Sequence, residues 1–184
     1  MDAASGVYTE LQPGSYVLGD ADYARNGRDP ATGDGEGLCW AAPFPPSLML
    51  LSQVMSVRPG EWAVIDSGLK AQSVDSGAPV VATTLGDYEA AGYALPPFDE
   101  AAGRYGGAAG ALCVASVSDE HSTLKRCSGE GAGAATTELP SAGEMLLLVP
   151  GHCDPFVNHY DFLVGVRRGV VEAVWALEAR SPGV

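Results

Sequence analysis

Two of the chain's three histidines fall in one stretch, "LLLVPGHCDPFVNHYDFLVGV", residues 146–166. There His152, Cys153, Asp154 and His159 lie between two apolar runs. If the first run continues as a strand, side chains at i and i+2 share a face. His152 and Asp154 are then neighbours, and Cys153 points away. An imidazole beside a carboxylate is half of a metal site, suited by ligand type to Mn²⁺, Zn²⁺, Fe²⁺ or Co²⁺, with Mg²⁺ also open. Two protein ligands leave positions for water or a substrate oxygen, as a catalytic ion requires and a closed structural ion does not. Pro155 would stiffen the strand end and hold the pair at a rim. The competing reading is a histidine that hydrogen-bonds a carboxylate at a strand end. His159, beyond Pro155, is expected to pack or cap.

"VSDEHSTL", residues 117–124, is the second concentration. Asp119, Glu120 and His121 follow an apolar run and read as a solvated turn. In the functional alternative, His121 or Glu120 reaches the rim of His152 as a substrate contact or a partner of a metal ligand. Lys70 is one of only two lysines. A Schiff base is within lysine chemistry, but a surface ion pair is the expectation.

The elements that must position these residues read as strands. "SLMLLSQVMSVRPGEWAVIDSG" gives two strands turned at Arg58-Pro59-Gly60, where Pro and Gly favour a turn. "GSYVLGD", "APVVATTLG", "ALCVASVSDEH" and "EMLLLVPGH" read as further strands. "DFLVGV" and "VVEAVWALEAR" flank Arg167-Arg168-Gly169 as a hairpin. "DYEAAGYAL" has helical character, weakened by Gly92. Residues 25–37 and 126–143 lack an apolar period and are expected to be long, mobile, Gly-rich loops. The expected fold is mostly β: a small barrel or bent sheet, formed as one domain over residues 1–184.

Composition bounds the function. A formal charge of −13 sets the chain against phosphate backbones, so nucleic acid is excluded as a partner. No window approaches the roughly 18 apolar residues of a membrane span. The four cysteines form no CxxC pair, and the N-terminus lacks a secretory pattern. A soluble, reducing compartment is expected, cytoplasmic by default, with an organelle open.

The segments "TELQPGSYVLGDADY", "VMSVRPGEWAVIDSGLKAQSVDSGAP", "SDEH", "VPGHCDP" and "VWALEAR", in this order, resemble the C-terminal domain of the D-threonine aldolase and D-serine dehydratase family. The resemblance covers nearly the whole chain outside the two loops. It implies a metal-bearing β domain that closes over an N-terminal α/β barrel carrying pyridoxal phosphate (PLP) on a lysine, in cis or from a dimer partner. The family's metal motif is a His followed two residues later by Cys in dehydratases or Asp in aldolases. His152 and Asp154 match the aldolase form. The whole enzyme would cleave a D-3-hydroxy amino acid to glycine and an aldehyde.

The barrel, its cofactor lysine and its phosphate loops are not in this sequence. Lys70 falls in the β domain of the pattern, so PLP would come only from the missing barrel. The chain reads as the metal domain of such a lyase, inactive alone. It would be a fragment, a truncated gene model or a stand-alone relic. The alternative is a metal-binding or interaction domain that has lost catalysis.

Overall fold

The structure is a computed structural model that describes residues 14–25, 45–99, 104–127 and 138–178. Most of the two expected loops, 26–37 and 128–137, lies outside these residues, as does Cys39.

A 3-10 turn, Ser15–Val17, leads into helix α1, Ala21–Arg25. The strands β1 (Leu50–Arg58), β2 (Trp62–Ile65) and β3 (Val80–Thr84) follow, then helix α2 (Leu85–Ala90). The short strands β4 (Phe98–Asp99) and β5 (Arg104–Tyr105) precede helix α3 (Gly107–Gly110). Next come β6 (Leu112–Val117), β7 (Ser122–Arg126), β8 (Met145–Val149), helix α4 (Cys153–Val157), β9 (Phe162–Arg167) and β10 (Val170–Ala176).

Six strands close into an antiparallel barrel in the order β1-β2-β7-β6-β3-β8, with β8 returning to β1. The expected barrel is therefore present and fully closed. Alternation explains it. Val54, Ala63, Ile65, Val81, Leu112, Leu124, Leu146 and Leu148 point inward and form one buried cluster. Burying a side chain of this kind is worth about 1.5–3 kcal/mol.

Three expectations are corrected. "GSYVLGD" is not a strand but the 3-10 turn and the approach to α1. Asp20 starts that helix, because its Oδ1 accepts the Tyr23 N–H at 3.0 Å, the bond of an N-cap residue. The strand expected to run through residue 152 stops at Val149, and α4 begins at Cys153. Pro155 sits in the first turn of that helix, where it costs no hydrogen bond. The third correction is β7, "STLKR", which was not foreseen.

Cys113 and Cys127 form a disulfide between β6 and the end of β7. Among the described residues, no helix is long and apolar enough to cross a membrane.

The β9–β10 hairpin forms its own two-stranded sheet. Arg168 and Gly169 at its tip both have positive φ, 50° and 75°, as a type I′ turn requires. The pairs Phe162↔Ala176, Val164↔Val174 and Val166↔Val171 place apolar residues alone on one face. The two valines of the central pair are 57% and 60% exposed.

Candidate functional site

The register gathers the candidate residues at one end of the barrel. β8 ends beside the starts of β1 (Leu50↔Leu148) and β3 (Val80↔Val149). The end of β2 pairs with the start of β7 (Ile65↔Ser122), opposite the end of β6 (Val117↔Ser122). The segments leaving these ends are residues 150–154, 66–79 and the 118–121 turn.

Residues 150–154 are held from two sides. On one side, the N–H groups of Ala21 and Asp22 donate to the carbonyls of Pro150 (2.8 Å) and Gly151 (3.0 Å). Asp20 Oδ2 accepts the Cys153 N–H at 3.0 Å, so one buried carboxylate organises the starts of both α1 and α4. On the other side, the loop before β3 approaches so closely that a Cβ on Gly151 would lie 2.0 Å from the Gly77 carbonyl oxygen.

His152 precedes α4 with extended backbone, φ −142° and ψ 123°. Its Nδ1 lies 2.8 Å from Asp75 Oδ2. Its Nε2 faces Asp154 Oδ2 at 3.8 Å. That is beyond hydrogen-bond range. It is also wider than the ~3–3.5 Å expected between two ligand atoms that share one ion at ~2.1 Å, so a small rotation of the exposed Asp154 would close the pair on a cation. The expected neighbours thus do meet, through a strand end and a helix start rather than along one strand. Ser15 Oγ donates to Asp154 Oδ1 at 3.3 Å.

The electrostatics follow. The hydrogen bond that His152 donates to Asp75, with the charges of Asp75, Asp20 and Asp154, raises the His152 pKa against the opposing effect of burial. The Asp75 pKa is lowered, first by the Ser73 hydroxyl and then by His152. Burial pushes the Cys153 thiol up to about 12. Cys153 packs with Leu48 and Phe156 beneath the site and stays a thiol, but it does not face away as expected: its Sγ donates to Asp154 Oδ1 at 3.4 Å.

The other candidates stand apart. His121 is exposed on the β6–β7 turn, at the same barrel end, and its carbonyl accepts the Ser118 N–H at 2.8 Å. No contact brings its ring to His152 or Asp154. His159 is exposed, and its N–H closes the turn after α4 on the Phe156 carbonyl at 3.1 Å. Lys70 forms an ion pair with Glu120. Gly68 allows that meeting, because a Cβ there would lie 2.4 Å from the Ser118 carbonyl oxygen. Asp75 and Asp20 escaped the reading of residue types. "GDAD" carries a capping signal for Asp20, whereas nothing local marks Asp75 as a histidine partner.

Residues 47–166 match the family described as "Putative serine dehydratase domain". The chain belongs to this serine dehydratase domain family. It is 36% identical over 186 residues to the 3-hydroxy-D-aspartate aldolase of Paracoccus denitrificans, spanning 99% of this chain and 37% of that protein. It is 35% identical to the D-threonine aldolase of an Arthrobacter species, spanning 98% of this chain and 36% of the relative. Among solved structures, the D-threonine aldolase of Filomicrobium marinum superposes with a TM-score of 0.64 at 35% identity, over 96% of this chain and 37% of that one. A D-threo-3-hydroxyaspartate dehydratase solved in a metal-free form gives 0.51 at 19% identity, and shares the fold alone. The chain thus spans little more than a third of the relatives it matches.

Among the described residues, no group of three or more His, Cys, Asp or Glu could hold a metal ion. The candidate donors that the structure brings together are one imidazole nitrogen and one carboxylate oxygen, His152 Nε2 and Asp154 Oδ2. That set fits a divalent cation with open positions. The described residues do not fit PLP: no β/α barrel is present, and Lys70 is tied to Glu120.

Proposed function

We propose that this chain is the metal-bearing β domain of a PLP-dependent aldolase acting on D-3-hydroxy amino acids, completed by a barrel domain in cis or from a dimer partner. The observation that carries the reading is His152 Nε2 facing the Asp154 carboxylate, in a chain related over its length to two aldolases. A bound divalent cation supplies Lewis acidity toward the substrate's β-hydroxyl, whose proton must leave before the Cα–Cβ bond breaks. His152 and Asp154 would hold it. Ser15 steadies the carboxylate by its hydrogen bond. Asp20 fixes the backbone between the two ligands. The electron sink for Cα belongs to the barrel domain.

The test is thermal melting with Mn²⁺ or Zn²⁺. At a hundredfold excess over Kd, one site stabilises by about 2.7 kcal/mol, a rise of roughly 5–10 °C for a chain of this size. His152→Ala and Asp154→Ala should each abolish the rise. An Asp154→Ala protein that keeps the full shift would remove Asp154 from the site. The purified chain is also expected to have neither aldolase activity nor a pyridoxal absorbance band.

The apolar hairpin face is the surface offered to the barrel domain. A lone two-stranded hairpin is marginal in water, so its exposed side needs cover. At ~20 Å by ~10 Å the face is ~200 Å², well short of the ~800 Å² per partner of a stable complex between free proteins. It suffices for a domain held nearby by the same polypeptide or dimer, where effective concentration supplies the rest. The Val164→Asp, Val174→Asp double variant should lose fluorescence with a hydrophobic dye while its Tm stays within ~2 °C. A large fall in Tm would show instead that this face supports the chain's own fold.

A further inference from the structure

We infer that Asp75 is the positioning residue of the metal centre: its carboxylate fixes His152 in the tautomer with the proton on Nδ1 and directs the Nε2 lone pair toward Asp154. The inference rests on the reading of His152 and Asp154 as metal ligands.

The argument starts from donor and acceptor chemistry. An ionised carboxylate only accepts, and a bare ring nitrogen only accepts. Asp75 Oδ2 and His152 Nδ1 lie 2.8 Å apart, so the proton between them belongs to Nδ1. Nε2 is then the nitrogen free to bind a cation, and it is the one that faces Asp154. Were the proton on Nε2, its nearest carboxylate would be 3.8 Å away and two acceptors would oppose each other at 2.8 Å.

Asp75 is itself fixed. Ser73 Oγ donates to its Oδ1 at 2.6 Å, which leaves Oδ2 for His152. The loop carrying Asp75 touches the strand end carrying His152 where Gly77 meets Gly151. Asp75 and His152 are 77 residues apart in sequence. The contact is therefore built by the fold, and it has the form of the carboxylate–histidine–metal triads that orient ligands elsewhere.

The experiment compares the whole chain with Asp75→Asn and Asp75→Ala, with Mn²⁺ alone as the probe. Free Mn²⁺ is followed by electron paramagnetic resonance. Separately, the His152 tautomer is read by long-range ¹⁵N–¹H NMR on metal-free protein, above the pH at which His152 titrates. The unaltered chain should show the Nδ1–H tautomer. Asp75→Ala should shift toward Nε2–H and bind Mn²⁺ about 10–100-fold more weakly. Asp75→Asn keeps the size and an acceptor oxygen, so it should fall between. An Asp75→Ala protein with unchanged tautomer and unchanged Mn²⁺ affinity would overturn the inference. If the unaltered chain itself binds no Mn²⁺, the metal reading fails, and the tautomer measurement alone decides whether Asp75 orients the ring. A general loss of fold would be seen as a fall in Tm, and Asp75→Asn, the closest in shape, then carries the test.

Discussion

Gly151→Ala is expected to destabilise the protein by about 3 kcal/mol or more and to weaken its Mn²⁺ response as well. An added Cβ would sit 2.0 Å from the Gly77 carbonyl oxygen. Both parties are backbone, so no side chain can rotate away. Overpacking usually costs about 1–3 kcal/mol when side chains can adjust, and here the loop or the strand end must move. The loop carries Asp75, and the strand end carries His152 one residue on. Their separation would therefore change in the same variant that loses stability. On the scale of ~2–4 °C per kcal/mol, Tm should fall by roughly 6–12 °C. Gly60→Ala is the comparison, because it sits at a turn where a Cβ meets nothing within 4 Å, although its φ of 78° adds backbone strain. If Gly151→Ala melts no lower than Gly60→Ala and keeps the full Mn²⁺ shift, the close approach does not set the site.

The sequence disclosed what depends on neighbours along the chain. β1 and β2 are legible because two apolar, β-branched runs flank Pro59-Gly60, which turns the chain back. The hairpin is legible because Arg168-Gly169 closes two β-branched runs. β7 was hidden, because only Ser122 and Leu124 point inward from "STLKR" and one leucine gives no period. The site shows the same division. The pair His152 and Asp154 could be read from residue type and spacing, but the backbone that joins them could not. α4 starts where it does because Asp20, 133 residues earlier in the chain, accepts the Cys153 N–H. A carboxylate that acts at such a distance leaves no mark in a local pattern, and Asp75 escaped for the same reason.

Reducing the Cys113–Cys127 disulfide is expected to cost about 3 kcal/mol. The two cysteines are 14 residues apart in sequence, and closing a loop of about 15 residues raises the free energy of the unfolded state by about that much. The cross-link joins strands that already pair, since the Cys127 N–H donates to the Ala111 carbonyl at 2.9 Å. The folded barrel should therefore persist without it, and the loss should appear mainly as a lower melting temperature, by roughly 6–12 °C. Cys113→Ser and Cys127→Ser should each reproduce the effect of a reductant, and each should then be insensitive to it. Cys153 is a free, buried thiol, so Cys153→Ser should leave the response to reductant intact. A reductant that lowers the Tm of Cys113→Ser as far as that of the unaltered chain would show that the stabilisation comes from another source. Cys113 pairs with Val80, whose other partner Val149 lies three residues before His152, but His152 and Asp154 are held by Asp75, Asp20 and Ser15 rather than by β6, so the Mn²⁺ shift should survive. A chain that kept its Mn²⁺ shift while losing the disulfide's share of stability would separate the fold's cross-link from its chemistry.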